Sequence, residues 1–209
     1  MDLIPNGPNS HAEGISTTTD INANGAHAEG VSTTALAQGS HSEGNSTTAN
    51  GFAAHAEGNF TTAGGDISHA EGNGTTASGT SSHAEGTGTT ASGDSSHAEG
   101  SGTIASGDLS HAEGLSTTAN GFEGAHIMGR NGAVNATDGD PTYSWNVAFG
   151  AVAYDATGLI GKLLNNGNMF VDGAYLTPAG DYAEMFETAD GNSIDVGYFV
   201  TVSTEDKIQ

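Results

Sequence analysis

Nine histidines mark out a regular metre in a chain of 209 residues. They stand at His11, His27, His41, His55, His69, His83, His97, His111 and His126, so the steps are 16, then six of 14, then 15. The local phrase is His-Ala-Glu-Gly, drifting to His-Ser-Glu-Gly at 41–44 and to His-Ile-Met-Gly at 126–129. An imidazole and a carboxylate on one face of a strand suit two kinds of chemistry. They can ligate a borderline ion such as zinc, or they can form a hydrogen-bonded column, as in His69, Glu71, His83, Glu85, His97, Glu99, His111 and Glu113. The column is the preferred reading, because a one-residue spacer on a strand closes no coordination shell and metal sites rarely recur at every turn. No metal and no cofactor is therefore expected. If His and Glu are paired, mild acidification should first strengthen the array and stronger acid should weaken it.

A second group of reactive types is Asp181, Glu184 and Glu187. Amide hydrolysis by carboxylates needs one group to activate water and another to protonate the leaving nitrogen. On a single strand, positions 181 and 187 share a face and 184 points away. A loop or a second chain must bring them together, and without that they read as surface acids of an edge strand. Other catalytic templates are missing: there is no Gly-x-Ser-x-Gly elbow, no Walker loop, and no nucleophile placed around His126.

The elements that carry these groups follow from the repeat. Seven residues after each histidine phrase comes a second one, such as TTASG at 75–79 and 89–93 or TIASG at 103–107. One 14-residue unit is thus two half-units, each a short extended segment and a turn. A fixed period of this kind means a stacked array. Gly, Ser and Thr at this density disfavour helix interiors, so the coils are strands joined by tight turns. Eight coils at about 4.7 Å make a rod about 40 Å long. In His-Ala-Glu-Gly the alternation puts His and Glu on one face and Ala and Gly on the other. An interior of Ala, Gly and Thr methyls buries little area against the cost of ordering each coil, so the rod is expected to bury a second surface against copies of itself. Pairs such as Thr47–Thr48, Thr61–Thr62 and Thr75–Thr76 form a further column, but adjacent threonines face opposite ways and Ile104 interrupts the series. An ice-binding plane is disfavoured on that ground, and a calcium-binding roll lacks its glycine-rich nonapeptide.

Composition narrows the function. The net charge is −22, with 25 acids against three cations, and Arg130, Lys162 and Lys207 all lie beyond residue 129. Such a surface repels nucleic acid. No apolar run reaches the roughly 18 residues of a spanning helix, so no membrane insertion is expected. With no cysteine, disulfides and thiolate zinc sites are excluded. The first ten residues, MDLIPNGPNS, show neither the basic start nor the apolar stretch of a signal peptide.

The SHAEG…TTASG array of residues 10–129 resembles the head repeats of trimeric adhesins and phage appendage proteins. That resemblance implies a parallel β-roll packed as a homotrimer. Beyond Gly129 the side chains enlarge, and 144–154, 159–164, 168–176, 182–186 and 197–203 read as strands, with a hairpin turn at Asn165-Asn166-Gly167. This part, AHIMGRNG…GDYAEMFE…GYFVTV, resembles the start of the self-cleaving intramolecular chaperone domain of phage pre-neck appendage proteins, a glutamic-type peptidase. The resemblance implies a scissile bond between Gly180 and Asp181, Glu184 as the catalytic carboxylate, and Asp181 at the new N-terminus. Since the chain stops soon after an apolar strand, it is expected to end partway through that domain.

The expected architecture is all-β. It comprises an N-terminal segment 1–9, a trimeric parallel β-roll (β-solenoid) of 14-residue coils over 10–129, and a small β domain over 130–209. The expected role is a structural or attachment segment of a phage or prophage tail appendage, made in the cytoplasm and displayed on the virion. A host receptor or glycan is a further expected partner, and single-turnover self-cleavage the only expected catalysis. The alternative is the host- or matrix-binding head of a bacterial surface adhesin, with no catalysis.

Overall fold

The metre becomes a stack of strands. In the computed structural model, which describes residues 7–137 and 139–172, a strand begins at every histidine. Seven have five residues, from His11–Ile15 to His97–Ser101, and two have eight, His111–Thr118 and His126–Ala133. Two-residue strands such as Thr62–Ala63 and Thr76–Ala77 form the other side of each coil. Every long strand pairs in parallel with its counterpart in the next coil, in register: His55 opposite His69, Ala56 opposite Ala70, Glu57 opposite Glu71, Gly58 opposite Gly72. Among the described residues there is no α-helix, only a 3-10 turn at Ala156–Gly158. The parallel β-solenoid expected from the sequence is the fold.

The interior is as thin as the composition implies. Ala56, Ala70, Ala84, Ala98 and Ala112 of the long strands are fully buried, as are Ala63, Ala77, Ala91 and Ala105 of the short ones. The first threonine of each pair joins them: Thr47, Thr61, Thr75 and Thr89 have no exposed surface. Serines preceding the histidines close the turn, with Ser68 Oγ donating to Gly65 O at 2.6 Å and Ser96 Oγ to Gly93 O at 2.6 Å.

One expectation about the coil is corrected. The glycine of His-Ala-Glu-Gly does not line the interior; Gly72, Gly86 and Gly100 face outward with φ of +105°, +103° and +104°. The alternation ends at Glu because the chain turns there. A Cβ on Gly86 would lie 2.1 Å from the carbonyl oxygen of Gly100 in the next coil, so only glycine allows the coils to stack. The inward glycines are those of the second phrase, such as buried Gly79 and Gly93.

The stack does not stop at residue 129. His126–Ala133 runs through it unbroken, and Trp145–Phe149 adds a further parallel strand, with Trp145 opposite His126 and Phe149 opposite Arg130. The interior changes instead at Ile127, which takes the place of an alanine and is fully buried, followed inside by Val134 and Leu159. Leu159–Leu163 then pairs antiparallel with Trp145–Phe149, and Met169–Val171 antiparallel with Leu159–Leu163. The strand expected over 144–154 is therefore shorter. It ends at Phe149 because the chain must reverse: Tyr154 takes φ +58° and Asp155 caps the 3-10 turn through Thr157 N. The Asn165-Asn166-Gly167 turn is present, with Gly167 at φ +85° and Gly167 N donating to Leu164 O. Tyr154 ties the reversal to the shaft by donating from its hydroxyl to Gly102 O at 2.6 Å.

Candidate functional site: the histidine and glutamate column and the region that ends it

Exact register turns the repeat into a column of side chains. From His27 to His126 consecutive imidazoles are stacked, with centroids 4.5–4.9 Å apart and planes within 16°. The first ring, His11, meets His27 edge-on at 63°. Trp145 closes the other end against His126, at 4.1 Å between centroids. The indole sits where the next histidine would fall, and the stretched spacing hides it from the sequence metre.

From Glu43 onward each carboxylate of the column serves the next coil. Nε2 of His69 lies 3.1 Å from Glu57 Oε1, His83 3.2 Å from Glu71, His97 3.1 Å from Glu85 and His111 3.2 Å from Glu99. His126 meets Glu113 at 3.2 Å and is the most buried of these histidines, with 15% of its side chain exposed. The structure thus brings together His69, Glu71, His83, Glu85, His97, Glu99, His111 and Glu113, with partners drawn from adjacent coils of one chain.

The frame of pairing shifts near the start of the column. His11 contacts Glu13 of its own coil at 3.3 Å and His27 lies 3.6 Å from its own Glu29, whereas His55 reaches back to Glu43 at 3.1 Å. His41 falls between the two frames. Its Nε2, like that of His27, is buried with no hydrogen-bond partner. Burial, then the neighbouring His55, push the His41 imidazole below the ordinary histidine value, against the pull of Glu43. For Glu43, burial acts upward, but the hydrogen bond from His55 and the charge of His41 outweigh it and hold the carboxyl below its ordinary value.

At the end of the column lies a different surface. Trp145, Val147 and Phe149 project from one face of their strand and are exposed, with the Arg130 guanidinium 4.5 Å from the Phe149 ring centre. Beside it, Lys162 is nearly buried and donates from Nζ to Asn135 Oδ1 at 2.9 Å. A cavity of about 420 Å³ is lined there by Asn135, Leu159, Ile160, Lys162, Phe170 and Asp172, among others. Gly180, Asp181 and Glu184 lie outside the described residues, as do the strands expected at 182–186 and 197–203.

The enlarged interior begins at Ile127, and so does a match to a known family. Residues 127–209 match Peptidase_G2, the IMC autoproteolytic cleavage domain. The match covers the C-terminal two-fifths of the chain, and it overlaps the last two parallel strands of the roll. The described part of the matched region, up to residue 172, therefore shares one continuous sheet with the solenoid. No curated protein matches the chain.

Proposed function

We propose that this chain is the shaft of a homotrimeric phage or prophage tail appendage, followed by a chaperone segment that releases itself by autoproteolysis. The observation that carries the reading is the Peptidase_G2 match at 127–209 growing directly out of a 14-residue β-solenoid. In this proposal water adds to the Gly180 carbonyl carbon as Glu184 takes a water proton. The Gly180–Asp181 bond then breaks, and the Asp181 nitrogen leaves with a proton from a second carboxyl group. One cut per chain follows, with Asp181 as the new N-terminus. The thin alanine interior supports assembly, since a rod with so little buried apolar area gains most by burying a second face. The appendage belongs on the virion surface, and a host receptor or glycan is the partner it would meet there.

Intact-mass spectrometry tests the cleavage. The protein is expressed as wild type and as Glu184→Ala. The wild type should yield a fragment beginning at Asp181, and the variant should stay whole. Cleavage before Asp181 in the variant would remove Glu184 from the chemistry, and an uncleaved wild type would remove the autoproteolysis.

A further inference from the structure

The objection to metal binding drawn from the sequence is that a single His-x-Glu closes no coordination shell. Stacking removes it. Each glutamate is flanked by imidazoles from two coils, and in five such triads, from His41–Glu43–His55 to His97–Glu99–His111, three ligand atoms lie within 4.8 Å of one another. In most of the column the imidazoles are already occupied as hydrogen-bond partners of a carboxylate. His41 differs from the histidines that follow it, because its Nε2 is buried without a partner while Glu43 is held by His55.

We propose that His41, Glu43 and His55 form a site for one divalent transition-metal ion of the zinc class. With one edge at 3.1 Å and the others no longer than 4.8 Å, a point about 2.5 Å from all three atoms exists, within about 0.5 Å of zinc bond lengths. Half-exposed side chains cover that difference by small rotations, and water completes the shell. Imidazole with carboxylate is a donor set that zinc accepts. The charge also favours a cation. Residues 1–129 hold no Lys or Arg, and carboxylates repeat along the column about every 4.7 Å, inside the roughly 7 Å at which two unit charges in water interact with thermal energy. Neighbouring triads share a histidine, so filling this one blocks the next.

Isothermal titration calorimetry with zinc chloride, on the whole chain in metal-free, non-coordinating buffer, tests the site. The wild type should show one tight zinc per chain. His41→Asn removes a side chain that makes no hydrogen bond, so the column should fold normally, checked by circular dichroism, while the tight site weakens at least about tenfold. Glu43→Gln should do the same, and Glu99→Gln, in a remote paired triad, should leave it unchanged. No tight zinc in the wild type overturns the proposal. So does undiminished binding in folded His41→Asn or Glu43→Gln, or an equal loss in Glu99→Gln, which would make the uptake diffuse.

Discussion

His41 sits where the pairing frame of the column changes. It stacks on its neighbours at 4.7 Å like the others but has no carboxylate bonded to Nε2. Its lowered proton affinity means that the unfolded chain takes up a proton here more readily than the folded one. The stability it contributes is complete above the ordinary histidine value of about 6.5 and declines as pH falls through that value. Glu43, held below its ordinary value, acts in the same direction at lower pH, since its contribution is lost as the carboxylate protonates. The groups facing His41 are His27, His55, Glu43 and Glu57. Strengthening on mild acidification therefore does not hold at this position: protonation opposes folding. Thermal melts between pH 7 and pH 5 should fall less steeply in His41→Asn than in wild type, and an unchanged slope would contradict the assignment. The sequence showed which side chains stack, because the metre alone fixes that. It did not show that the histidines from His55 onward serve the glutamate of the preceding coil, because that depends on coil pitch and rotamer.

At the scale of the coil, glycine and the left-handed backbone decide what the stack tolerates. Gly86→Ala would push a Cβ to 2.1 Å from backbone of the next coil, at φ +103°. A loss of more than about 3 kcal/mol is expected in chemical denaturation, because neither coil can move without breaking its ladder. The opposite change is available at Phe60, which holds φ +56° where later coils place Gly74, Gly88 and Gly102 at +69°, +63° and +63°. Phe60→Gly relieves that strain, less the entropy glycine loses on folding, and should gain about 0.5–1 kcal/mol. A loss instead would mean that the exposed ring contacts something it needs. The repeat made the strands legible, and the outward glycine was misplaced only because strand alternation was carried one residue too far. The strand after Ser144 was read too long for a related reason. Its apolar run continues through Tyr154, whereas the turn is imposed by the antiparallel strand that has to follow.

At the scale of the whole molecule, the strands of the described residues form one continuous sheet whose character changes along its length. Up to Glu113 the column face is imidazole and carboxylate; at Trp145 and Val147 the same columns become apolar, with Phe149 exposed beside them. The Peptidase_G2 match begins where the interior first takes a large side chain, at Ile127, so the matched region starts as a continuation of the solenoid. The acidity read from the sequence also finds its place, since Glu57, Glu71, Glu85 and Glu99 recur one per coil along a shaft with no lysine or arginine. Copies of such a shaft repel one another except where their faces are neutral, which puts the apolar end in position to hold an assembly together. Sedimentation velocity on the intact protein tests this most directly. A single species of three chain masses is predicted, and a species of one chain mass across the accessible concentrations would contradict the account.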